Sequence, residues 1–71
     1  MTANYAQIFF TDETQKYYLI NLMDLCGISV RKLSNITNLS YQKIYDYIYR
    51  NKAIKKIDYE KMLNTVKKHL I

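Results

Sequence analysis

The residues with most to offer a partner sit in one stretch, ITNLSYQKIYDYIY, residues 36–49. It holds Tyr41, Tyr45, Tyr47 and Tyr49, with Gln42, Lys43 and Asp46 between them. The Gln42 amide can donate and accept at once. Lys43 donates as a cation, Asp46 accepts as an anion, and each phenol joins a π face to a hydroxyl. This is chemistry for recognition. Covalent catalysis needs a nucleophile, a base and a group that orients the base. Here His69 is the single histidine, Cys26 the single cysteine, and the carboxylates are scattered along the chain. With Gly27 as the one glycine there is no glycine-rich phosphate loop. One cysteine and one histidine cannot supply zinc-ligand spacing. The expectation is therefore a protein that is not an enzyme and carries no metal or cofactor.

Charge points to a partner class. The net charge is +5 over 71 residues, but it is uneven. Residues 1–49 balance Lys16, Arg31, Lys32 and Lys43 against Asp12, Glu13, Asp24 and Asp46. Residues 50–71 set Arg50, Lys52, Lys55, Lys56, Lys61, Lys67 and Lys68 against Asp58 and Glu60 alone. A clustered basic surface suits a polyanion. No run of about 18 apolar residues spans a membrane. The start, MTANYAQIFF, lacks the basic region and cleavage site of a signal peptide. A lone thiol fits a reducing cytoplasm, so a cytoplasmic location is expected, with no membrane partner.

These residues need positioning, and the sequence supplies helices. With no proline and one glycine the chain lacks the turns of a sandwich or barrel. The fold class expected is all-α, a compact bundle of four to five short helices containing a helix-turn-helix. Residues 1–10 read as an apolar segment or arm and residues 11–71 as the domain. A first helix is predicted over about 13–26, with Asp12 and Gln15 at capping-box spacing. Its expected apolar stripe is Tyr18, Leu19, Leu22, Met23, Leu25 and Cys26, and Gly27 stops it. Ser29 caps a second helix from Val30 to about Ile36. Thr37-Asn38-Leu39 breaks it, and Ser40 caps a third, about Tyr41 to Arg50. A basic loop anchored by Ile54 and Ile57 leads to a last helix, expected to be capped by Asp58 and to run from Tyr59 to about Leu70.

Residues 45–49, YDYIY, also alternate like a strand, yet no comparable run exists to pair with them. As a helix at about 100° per residue they sort into two sides. Ile44, Ile48, Tyr47 and Tyr41 face the expected core. Gln42, Lys43, Tyr45, Asp46, Tyr49 and Arg50 face outward. Tyr17, Tyr18 and Tyr59 are expected in or beside the core.

A short helix, a three-residue turn and a second helix form a helix-turn-helix. Leu33, Ser34, Thr37, Asn38, Leu39, Ser40, Ile44 and Tyr47 resemble the pattern of the lambda-repressor and Cro-like family, the Xre-type regulators. The likeness covers about residues 16–70. Asn38 replaces the glycine common at the family's turn, Thr37 a larger apolar residue, and Val30 a frequent phosphate-touching glutamine.

The resemblance implies that the helix from Tyr41 enters the major groove of operator DNA. Tyr41, Gln42, Lys43, Tyr45, Asp46 and Tyr49 then form the base-contacting or partner face. Gln42 would bond adenine at two atoms. Arg31, Lys32, Arg50, Lys52, Lys55 and Lys56 would hold phosphates. The function implied is a Cro-like transcription regulator in a phage lysis-lysogeny switch that works in a bacterial host cell, and such proteins usually act as homodimers. Val66, Leu70 and Ile71 form one candidate dimer surface and the N-terminal segment another, the alternative being that either packs on the chain's own core. The tyrosines open an alternative, because exposed tyrosine is typical of protein hot spots. In size and layout the chain also resembles antirepressors of the modulator-of-repression type. These bind a phage repressor protein and block its DNA-reading surface.

Overall fold

The structure, a computed structural model, describes residues 9–10 and 13–70. In chain order the elements are β1 (Phe9–Phe10), α1 (Glu13–Cys26), α2 (Val30–Thr37), α3 (Tyr41–Tyr49), β2 (Ile54–Lys55) and α4 (Lys56–Lys68). The architecture is an all-α bundle of four helices with a helix-turn-helix at α2–α3. The YDYIY segment is helical.

Each helix end has a local cause. Gly27 sits at φ 68°. Its N–H donates to the Asp24 carbonyl at 3.2 Å, and the Ile28 N–H donates to the Met23 carbonyl at 2.9 Å. These are the two bonds of a Schellman motif, and the buried Ile28–Met23 pair supplies its usual apolar contact. Ser29 caps α2 by accepting from the Lys32 N–H at 3.1 Å. Asn38 ends α2 at φ 63°, donating to the Ser34 carbonyl at 2.9 Å. Asparagine reaches this left-handed region more readily than most residues, which explains how it replaces glycine here.

Hydroxyls then fix the turn. Thr37 Oγ1 donates to the Leu33 carbonyl at 2.7 Å and accepts from the Leu39 N–H at 3.3 Å. Ser34 Oγ donates to the Leu39 carbonyl at 2.7 Å. Thr37 is buried, so its hydroxyl satisfies a backbone donor that a larger apolar residue would not. Ser40 caps α3, accepting from the Lys43 N–H at 3.3 Å.

The start of α4 differs from expectation. The helix begins at Lys56, and its N-cap, Lys55, makes no side-chain capping bond. Asp58 lies within the first turn, where a carboxylate complements the helix dipole without capping it. The cause is long-range. Ile54 and Lys55 pair antiparallel with Phe10 and Phe9, so the backbone is extended up to Lys55 and turns helical at once. Residues 1–8, Asp12 and Ile71 lie outside the described residues. This leaves untouched the capping box and the part that Ile71 or most of the N-terminal segment would play in a dimer.

The core lies where α1, α2, α3 and α4 converge. Leu33, Ile44 and Tyr47 are buried and Leu39 packs half-buried against them. This is the clamp that sets α3 on the bundle. Tyr47 meets Tyr59 edge-on, centroids 6.3 Å apart. The Tyr59 hydroxyl reaches the Gln15 carbonyl at 2.8 Å and so ties α4 to α1.

Several side chains expected inside are outside. Leu25 is 76% exposed, Tyr17 55% and Tyr18 44%. On the α1 wheel Tyr18 and Leu25 stand about 100° from the stripe through Leu19, Leu22, Met23 and Cys26, beyond the bundle's reach. Lys16 is buried instead, its ammonium donating to Asn51 Oδ1. Val66, a candidate for a dimer surface, is wholly buried, whereas Leu70 is exposed.

Candidate interaction surface on helix three

Three side chains, Ile44, Tyr47 and Ile48, plant α3 in the core. The remaining surface of the helix divides into three strips. The central strip carries Gln42 and Asp46. They bond to each other, Gln42 Nε2 donating to Asp46 Oδ1 at 2.9 Å. Arg50 approaches the same carboxylate at 4.0 Å. Gln42 projects outward as predicted, yet one of its amide donors is turned back onto its own helix.

One flank is aromatic. Tyr41, Tyr45 and Tyr49 are 39%, 37% and 65% exposed. Tyr41 therefore belongs to the surface, not to the core side expected of it, because the bundle leaves that edge of α3 open. The spacing i, i+4, i+8 sets the rings one above another in a ladder, tilted by 34° and 46°, with centroids 6.0 Å and then 4.9 Å apart. The Arg31 guanidinium lies over the Tyr41 ring at 5.1 Å. The ladder forms one wall of an open groove of about 530 Å³. The opposite wall comes from Ile20, Met23 and Asp24 of α1 and from the α1–α2 connection.

The other flank is charged. Lys43, Asp46, Lys52, Lys55 and Asp58 surround a smaller depression of about 270 Å³ floored by Ala53 and Ile54. The loop that shapes it turns at Asn51, φ 58°. The Asp46 carbonyl accepts from the N–H groups of Arg50 at 3.0 Å and Lys52 at 3.1 Å. Lys16 holds Asn51 from beneath.

The twelve predicted site residues are thus distributed rather than gathered. Tyr41, Tyr45, Tyr49 and Arg31 share the groove. Lys43, Asp46, Lys52 and Lys55 share the opposite depression. Gln42 and Arg50 are exposed between them, and Lys32 is exposed on α2. Lys56 turns away to pair with Glu60 at 2.9 Å. The residues of α1 that line the groove were not among those predicted. They come beside α3 through the bundle as a whole, α1 packing on α4 and α3 on α2, and no local pattern carries that information. Among the described residues no cluster of His, Cys, Asp or Glu has the makings of a metal site, and no helix is long and apolar enough to cross a membrane.

Comparison of the chain with protein-family models, curated proteins and solved structures finds no match.

Proposed function

We propose that this chain is a small helix-turn-helix regulator that works through the outer surface of α3, and that the partner there is a protein. The partner class we infer is a DNA-binding repressor whose groove-reading surface the chain covers, as in a temperate-phage switch. One observation carries this reading: an exposed ladder of Tyr41, Tyr45 and Tyr49 beside a Gln42 already bonded to Asp46. A base-reading helix presents free donors and acceptors to base edges. Here the central strip is partly self-satisfied and holds a carboxylate, which repels phosphates. Rigid aromatic side chains with polar tips are what protein interfaces use as anchors. A repressor's reading surface is rich in Arg and Lys, and these cations lie over phenol rings and pair with carboxylates.

A second reading, direct operator binding through α3, draws support from Ser40-capped α3 standing after the turn and from the basic residues Lys43, Lys52 and Lys55 on one flank. It predicts steep salt dependence, because phosphate contacts release counterions. Titration calorimetry of the full chain with the DNA-binding domain of a temperate-phage repressor separates the two. The protein-partner reading expects a stable complex. Absence of a complex, with affinity for promoter DNA falling steeply between about 50 and 200 mM salt, would transfer the function to DNA.

A further inference from the structure

The groove beside the tyrosine ladder has a chemistry of its own. Ile20 and Met23 on the α1 side and Ile48 of α3 give it an apolar lining. Its wall is the ladder, whose ring faces attract cations. On its rim stands Asp24, exposed, with no hydrogen bond or ion pair to its carboxylate among the described residues. A guanidinium is already drawn to this wall, since Arg31 lies against Tyr41. Its positive charge repels a second cation at that end. A cation arriving from outside is directed to the open end, at Tyr45 and Tyr49.

We propose that this groove seats one helix of the partner protein, a helix carrying an apolar side chain one turn from an arginine. The proposal rests on the protein-partner reading and deepens it. The apolar side chain enters between α1 and α3 and covers Ile20, Met23 and Ile48. The arginine lies across Tyr45 and Tyr49 and pairs with Asp24. Residues one turn apart on a helix share a face, about 5–6 Å between Cβ atoms, and the ladder spans about 12 Å at 1.5 Å per residue. Asp24, Tyr45, Tyr49 and the apolar residues line this same groove. Charge complementarity selects arginine over an acidic side chain. The planar guanidinium, which stacks on rings and bonds carboxylates, suits the site better than a lysine ammonium.

The test uses the full chain, isotope-labelled for NMR, and three alanine-based helical peptides. The first carries leucine and arginine four residues apart. The second has glutamate in place of arginine, and the third alanine in place of leucine. The first peptide is expected to shift the amides of Asp24, Tyr45 and Tyr49, and the other two to bind several-fold more weakly. Asp24→Asn should weaken the first peptide by roughly fivefold, the upper end for an exposed ion pair, while the circular dichroism spectrum stays unchanged. Equal binding of the glutamate peptide, shifts confined to α4, or indifference to Asp24→Asn would overturn the proposal. If a repressor domain is still captured through Tyr45 and Tyr49 in that event, docking on α3 survives and only this mode of seating falls.

Discussion

At the residue scale, Tyr45 and Tyr49 separate the two readings of α3 most sharply. Both rings are exposed and lie against each other at a 46° tilt, and Ile44, Tyr47 and Ile48 are the side chains that hold α3 to the bundle. Truncation should leave the fold intact while removing an interface anchor. Tyr49→Ala is expected to weaken repressor binding by at least about tenfold, a loss of about 1.4 kcal/mol or more, with little change in melting temperature. Calorimetry and thermal denaturation of the same variant check both halves. On the DNA reading, Gln42→Ala relaxes base preference and Lys55→Ala weakens all sequences alike, which a competition assay on variant promoters would reveal. The outward direction of Gln42, Lys43, Tyr45 and Tyr49 was legible from the helical wheel, because those angles depend on the helix alone. The bond from Gln42 to Asp46 was not foreseen, although its i, i+4 spacing was in plain view.

At the element scale, the helix-turn-helix is held by side-chain hydroxyls more than by glycine. Thr37 and Ser34 each bond across the turn, and Ser29 and Ser40 cap the helices on either side. Ser40→Ala should cost about 1 kcal/mol of stability, the usual loss of an N-cap. Thr37→Val keeps the shape but leaves the Leu39 N–H without its acceptor, at a cost of about 1–3 kcal/mol. Chemical denaturation of the two variants checks these values. A Thr37→Val variant as stable as the parent would mean that the turn does not depend on its hydroxyl. The bounds of α1, α2 and α3 were readable because their signals are local: Gly27, Ser29, Asn38 and Ser40 each act within a few residues. The start of α4 was misread because its signal is remote. Asp58 has the look of a cap, but strand pairing between Phe9–Phe10 and Ile54–Lys55 sets the boundary.

At the scale of the whole molecule, a small core must orient α3 with no internal disulfide, since Cys26 is the single cysteine. Leu33, Ile44, Tyr47, Met62 and Val66 are almost fully buried, and each removal opens a cavity. Leu33→Ala should cost about 2–5 kcal/mol, a large part of the 5–15 kcal/mol typical of a domain. Lys16 is the unexpected member. It is buried and bridges α1 to the loop after α3 through Asn51. Asn51→Gly preserves the left-handed backbone but removes the acceptor, so it should destabilise. Lys16→Met keeps the packing without the charge and should be close to neutral. Thermal melts of the pair test this order, and the reverse order would contradict it. The sequence made the bundle legible through its apolar spacing. It did not reveal which wheel edges stay open, because the exposure of Tyr18, Leu25 and Tyr41 depends on where neighbouring helices stop.

The most direct test is a gel shift on the promoter DNA beside this gene and on the operator of a temperate-phage repressor, run with this protein alone, with that repressor alone, and with both. A protein partner on α3 predicts no shift by this chain alone and loss of the repressor's shift when it is added, with Tyr49→Ala restoring the shift. A salt-sensitive shift by this chain alone, unchanged in Tyr49→Ala and weakened in Lys55→Ala, would contradict it.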